Sequence, residues 1–259
     1  MRLFFAVVAA GALAFLALPV AAIFLRVSPG TLVHELGDPV ARDALVISLE
    51  TSAIAQLLVV ALGTPTAYLL ATRRFRGRAL LLTLVELPLV LPPAVAGIGL
   101  LAAFGRTGLL STSVAFTKTA VVLAVAFVSG PFYVRTAVAA FEAVDPTLVA
   151  AARTLGAGPW RVFARVALPL AAGGLSAGLA LSFARGLGEF GATIMFAGSL
   201  QRVTQTLPLA IYAEFARSFD VALAIGALLV VFSFTLLLAV KWLRFGWTSP
   251  SRSARSPFA

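Results

Sequence analysis

Residues 142–169, EAVDPTLVAAARTLGAGPWRVFARVALP, decide how this chain folds. The stretch lies between two strongly apolar segments and is itself too polar to be buried in lipid. Asp145 followed by Pro146 has the form of a helix N-cap with proline at the first helical position. Residues 148–155 continue as a short alanine-rich helix. Gly156 can take the left-handed conformation that ends it, and Pro159 can start a second helix at an angle to the first. The pattern predicts an elbow of two short helices outside the membrane, a shape that another protein can grip. A plain helical connection is the other reading of the same residues.

Apolar segments flank the elbow on both sides. Residues 119–140, kinked near Gly130-Pro131, deliver the chain to it, and 170–198 carry the chain away, with Gly174 and Gly178 in the G-x-x-x-G spacing that lets helix backbones approach closely. Further spans are expected at 4–25, 46–71, 79–104 and 221–240. The first is uncharged and long enough to cross the roughly 30 Å hydrocarbon layer. It is longer than the apolar core of a signal peptide, about 7–15 residues, and is read as an uncleaved helix. The third is interrupted by Pro88, Pro92 and Pro93, which remove backbone donors that lipid cannot replace. It is either a kinked packing helix or one that lines a pathway. The polar connections are 26–43, 105–117 and 200–220, and His34 is expected as a solvated loop residue in the first. Residues 248–259, rich in serine, proline and arginine, are expected to form a mobile tail.

With 61% hydrophobic residues over 259 positions and a mean hydropathy of +1.03, the chain is an all-α integral membrane protein of one domain and not a soluble one. A net charge of +10 could suggest nucleic acid, but the basic residues fall in short clusters between the spans, which is a topology signal. Six spans put both termini on one side. Thirteen basic residues, among them Arg73, Arg74, Arg76, Arg78, Arg153, Arg161 and Arg165, then share the face of the elbow against six on the opposite face. The excess places the elbow and both termini in the cytoplasm. The absence of cysteine and the single histidine remove disulfides, thiolate chemistry, histidine metal sites and a histidine-based triad.

Arg185 and Glu189 are four residues apart within the fifth span, on one helix face, and Thr193 follows one turn later. Charges at membrane depth face a bundle interior or a watery cavity. They form either a self-satisfied pair that fixes helix packing or part of an anion route, with Arg185 attracting the anion and Glu189 limiting how tightly it binds. No G-x-x-x-x-G-K-[ST] phosphate loop occurs, so ATP hydrolysis by that route would need a separate subunit.

The register Ala150-Ala151-Ala152, Gly156, Val166 and Leu168-Pro169 resembles the cytoplasmic EAA loop of ABC importer permeases of type I. That resemblance implies a coupling helix between the fourth and fifth spans that docks into a groove of the ATPase. Ala150, Ala151, Ala152, Arg153, Gly156, Ala157, Leu168 and Pro169 would be its coupling residues. The family usually has glutamate where this chain has Ala150, so one ion pair is expected to be missing, with Arg153 a possible substitute charge. TPTAYLLATRRFRGR (64–78), ELPLVLPPAVAGIGLL (86–101) and GEFGATIMFAGSLQRVTQTLPLAIY (188–212) are similar to molybdate ABC transporter permeases, with sulfate and tungstate permeases as close relatives. The resemblance implies a multi-pass inner-membrane homodimer that imports the oxyanion by alternating access. It would work with two copies of a cytoplasmic ATPase, which uses ATP and Mg²⁺, and an extracytoplasmic oxyanion-binding protein. This chain itself would bind no cofactor, metal or nucleic acid and carry no catalytic residue. A secondary transporter or channel, which would more often show duplicated halves, and a structural membrane scaffold are the readings from other classes.

Overall fold

The computed structural model describes residues 1–112 and 114–247. In chain order the helices are α1 (Arg2–Arg26), α2 (Pro29–Gly37), α3 (Pro39–Thr72), α4 (Arg78–Val90), α5 (Pro93–Phe104), α6 (Lys118–Glu142), α7 (Pro146–Thr154) and α8 (Pro159–Val162). A π-helical turn (Phe163–Ala167) then leads into α9 (Leu168–Leu187), followed by α10 (Gly191–Ala197), α11 (Leu207–Phe215) and α12 (Phe219–Trp247).

The core is the trio α3, α6 and α9, in which α6 is the central helix packed extensively on both α3 and α9, while α3 and α9 touch each other over a short stretch. Small residues allow the approach. A Cβ on Gly174 would strike Ala140 of α6, and one on Gly178 would come within 3.0 Å of Thr136 Cβ, so the partner of the G-x-x-x-G face is α6. Three polar side chains tie the trio together inside the bilayer. Gln56 Nε2 donates to Ser129 Oγ at 3.2 Å, and the Ser182 hydroxyl lies 2.9 Å from both Gln56 Oε1 and the Ser129 carbonyl. In lipid, leaving any of these unpaired would cost more than the pair gains in water. The run Gly174–Gly178 also spells G-x-S-x-G. Ser176 is nevertheless mid-helix, its hydroxyl bonded to the Gly173 carbonyl at 3.0 Å, and not at the strand-to-helix turn that a nucleophile needs.

The structure differs from the sequence expectation in four places. Among the described residues, four helices are long and apolar enough to cross a membrane without a break: Phe4–Arg26, Pro39–Thr72, Lys118–Glu142 and Pro159–Leu187. The expected span 79–104 is instead two helices, α4 and α5, bent by 115°. Leu91 and Pro92 each precede a proline, which disfavours helical ψ, and both are extended, with ψ of 132°. The expected span 170–198 stops at Leu187 and resumes as α10 after Gly188–Phe190. The expected connection 26–43 holds α2, with His34 inside it, and the start of α3. There Asp38 accepts the Val40 N–H at 2.6 Å and Pro39 takes the first helical position. The expected connection 200–220 holds α11, whose Leu207, Leu209 and Ala210 are fully buried and whose Leu207 N–H donates to Ser48 Oγ at 2.7 Å. The expected tail 248–259 lies outside the described residues.

Candidate functional site

The elbow is built by local backbone chemistry. Asp145 Oδ1 accepts the backbone N–H and the hydroxyl of Thr147, each at 2.8 Å. These two bonds hold its carboxyl below the usual aspartate range. At the other end of α7, Gly156 has φ +81°. The Gly156 N–H bonds the Arg153 carbonyl and the Ala157 N–H bonds the Ala152 carbonyl, both at 3.0 Å, the reciprocal pair of a Schellman turn. Gly158 and Pro159 then restart the chain as α8.

From Pro159 to Leu187 the rod is continuous, although Pro169 lies near the start of α9. A proline ring clashes with the carbonyl four residues earlier, here that of Arg165. The chain accommodates it by widening to a π turn over Phe163–Ala167, closed by the Leu168 N–H bonding back to the Phe163 carbonyl. The second helix of the elbow is therefore the first turn of the same rod as α9, and α7 joins it through the turn at residues 155–158. Tyr68 of α3 packs on Phe141 of α6 (ring centroids 5.3 Å) and on Phe163 (4.8 Å), so the root of the elbow is clamped to the other two core helices.

Ala150, Ala151 and Arg153 are exposed on α7, Ala152 is partly covered, and Gly156 and Ala157 form the turn. Leu168 and Pro169 lie beyond the π turn, away from the tip. Arg153 shares a cleft of about 580 Å³ with Arg74 and Arg78. Sequence reasoning missed Leu155 and Trp160, which at 88% and 74% exposed are large apolar side chains on the elbow facing away from the bundle core. Their only signal in the sequence was apolar character next to the glycine turn.

The second constellation is where α9 breaks. Arg185 Nη2 lies 2.7 Å from Glu189 Oε2, with the carboxylate fully buried and the arginine side chain 29% exposed. Glu189 Oε1 accepts the Ala192 N–H at 2.7 Å and so caps α10. Thr193 is buried in α10, and its hydroxyl is without a hydrogen-bond partner. Here α10 rests directly on α5: a Cβ on Gly97 would come within 2.6 Å of the Ala192 carbonyl, and one on Gly191 within 2.6 Å of Pro93 Cβ. The two interrupted segments of the chain thus meet where α5 packs on α10, the helix that the buried carboxylate caps.

Residues 63–247 match the model of the binding-protein-dependent transport system inner membrane component family. The chain is 45% identical to the molybdenum transport system permease protein ModB of Mycobacterium tuberculosis, over 87% of this chain and 88% of the relative. It is 43% identical to a probable molybdenum ABC transporter permease of Haloferax volcanii, over 83% of each. Its fold is similar to a chain of a bacterial alginate ABC transporter, with TM-score 0.77 and 16% identity over 96% of both chains. It is also similar to a chain of the inward-facing MetNI methionine ABC transporter, with TM-score 0.66 and 18% identity over 81% of this chain and 96% of that one.

Proposed function

The chain belongs to the family of binding-protein-dependent transport system inner membrane components, and from that premise we infer that it is the permease subunit of an ABC importer of molybdate. The observation that carries the reading is the elbow, an apolar-tipped projection whose second helix is continuous with a core helix, on a chain related over most of its length to molybdenum permeases. Tungstate and sulfate, equally tetrahedral dianions, are the alternative cargoes.

Two copies of the chain surround one pathway and work with two ATPase subunits and an extracytoplasmic binding protein. With the bent pair α4–α5 counted as one pass and α12 as another, each copy crosses the inner membrane six times, and both termini and the elbow are cytoplasmic. ATP closes the ATPase pair, α7 and α8 are carried with it, and the strain passes through α9 into the bundle. The bundle has two packings of rigid parts and switches between inward- and outward-facing access. Ala150 to Ala157, Leu155 and Trp160 form the docking surface, where shape and apolar contact replace the missing glutamate. Arg185, held by Glu189, contacts the passing anion, and Thr193 sits in the segment that shifts beside it.

The test is uptake of radiolabelled molybdate by proteoliposomes holding the chain, its ATPase and its binding protein. Uptake should require ATP and be competed by unlabelled molybdate, and competition by tungstate or sulfate reports whether they share the pathway. Uptake that proceeds from the purified chain alone would place it among ATPase-independent transporters instead.

A further inference from the structure

We propose that the furrow between α4 and the α3–α6 pair binds one anionic phospholipid, with an acyl chain in its apolar half and the headgroup phosphate at its arginine-lined cytoplasmic end. The proposal rests on the membrane orientation given above and is independent of the transported ion.

Helix α4 contributes no buried residue and packs chiefly on α6, because the 115° bend turns α5 away from its line. Below the bend lies an apolar cavity of about 390 Å³ walled by Leu58 and Leu62 of α3, Leu100 and Phe104 of α5, and Leu123 and Val134 of α6, with Val85 of α4 at its edge. At 1.5 Å per residue, the α6 wall from Leu123 to Val134 is about 16 Å long, the depth of one leaflet of a hydrocarbon layer roughly 30 Å thick.

Val85 and Val134 also wall a second cavity of about 290 Å³, where the lining turns polar with Arg78, Glu86, Arg135 and Glu142. Arg78 and Glu142 in turn wall the 580 Å³ cleft that adds Arg74 and Arg153. The three spaces share lining residues and grade from hydrocarbon to arginine. Arg78 is held by Glu142 and the Leu70 carbonyl and Arg153 belongs to the docking face, which leaves Arg74 and Arg135 for a headgroup phosphate. Arg135 Nε is 3.6 Å from Glu86 Oε1 with the arginine side chain 69% exposed, so most of its guanidinium donors are open to a phosphate.

A soluble anion would leave the apolar half uncovered, and a zwitterionic lipid would leave the excess positive charge unanswered. An anionic phospholipid satisfies both. Basic pockets between helices at the cytoplasmic face are sites that acidic headgroups favour.

The experiment is native mass spectrometry of the full chain in mild detergent after incubation with phosphatidylglycerol or phosphatidylcholine of the same acyl chains. Phosphatidylglycerol should be retained one per chain and in preference to phosphatidylcholine. At about fivefold per arginine, the double variant Arg74→Gln, Arg135→Gln should lower its retention by about twenty-five-fold. Leu62→Trp, at a wall position 62% exposed, should lower retention of both lipids, and glycerol phosphate should displace neither. Equal retention of the two lipids, or retention unchanged by the variants, would overturn the proposal. Displacement by glycerol phosphate would show a free-anion site and overturn it as well. Should a variant not run as a monodisperse species, the two-lipid comparison and the displacement arm on the unmodified chain decide alone. Selective lipid retention by a chain that moves no molybdate would leave this site standing and overturn the transport reading only.

Discussion

Glu189 Oε1 accepts the backbone N–H of Ala192 at 2.7 Å, while the other oxygen of the same carboxylate lies 2.7 Å from Arg185 Nη2. One buried side chain therefore fixes both the direction of α10 and the position of the arginine at the end of α9. Of the two sequence readings of this pair, the ion pair and the cap show the packing one; the anion route is the proposal that Arg185→Gln tests. Glu189 is the packing element, and Arg185 is the partly exposed charge that it holds in place.

Glu189→Ala removes both the cap and the counter-charge of Arg185 and should cost about 3 kcal/mol, read as a lowered unfolding temperature in detergent. Glu189→Gln keeps an acceptor for Ala192 and should cost clearly less. Equal losses from the two would contradict the capping role.

Arg185→Gln leaves the buried Glu189 carboxylate without its counter-charge and should lower the unfolding temperature about as much as Glu189→Ala. In the folded fraction molybdate uptake should fall at least about tenfold, an effect of about 1.4 kcal/mol. Uptake unchanged in a folded variant would remove Arg185 from the pathway.

A Cβ at Gly156 meets nothing within 4 Å, so the cost of Gly156→Ala is only that of a left-handed residue, about 1 kcal/mol, and coupled transport should survive. Gly156→Trp should insert normally yet abolish ATP-driven uptake by obstructing the docking face. Membrane insertion by fractionation and uptake by proteoliposomes check the two halves.

Gly97 and Gly99 form a matched pair on α5. A Cβ on Gly97 would meet the Ala192 carbonyl, whereas one on Gly99 has open space. Gly97→Ala should therefore destabilise by about 1–3 kcal/mol, because backbone must move. Gly99→Ala should be neutral or slightly stabilising through helix propensity. Thermal unfolding of the two single variants makes the comparison.

The Asp145 carboxyl is held low by the Thr147 N–H and then the Thr147 hydroxyl. Its contribution to α7 is complete above the ordinary aspartate pKa of about 3.9 and is lost as pH falls through the lowered folded-state value. Limited proteolysis at the elbow should rise at acid pH in the parent chain. Asp145→Asn should flatten that dependence.

The local devices of the elbow, from the Asp145 cap and Pro146 to Gly156 and Pro159, were legible because each depends on one or two residues and a backbone rule. The broken third segment was legible from its prolines, but not the 115° of its bend, which depends on what α5 packs against. Helices α2 and α11 were read as connections because they are short and flanked by polar residues, and the burial of Leu207 and Leu209 comes entirely from tertiary neighbours. Gln56, Ser129 and Ser182 are far apart in sequence and chemically unremarkable. Only the parallel packing of α3 and α6 against α9 brings them within hydrogen-bond reach. Leu155 and Trp160 carried no signal of exposure, since an apolar residue on a short helix is as readily core as surface.

The central claim is that the elbow is gripped in the cytoplasm by a separate ATPase, and site-directed crosslinking tests it most directly. The chain contains no cysteine, so Leu155→Cys carrying a photoactivatable probe reports on one position alone. In the assembled transporter the account predicts a single adduct joining this chain to the ATPase subunit, formed from the cytoplasmic side and altered by ATP. Labelling of Leu155→Cys from outside the cell, or an assembled complex with no ATPase adduct, would contradict it.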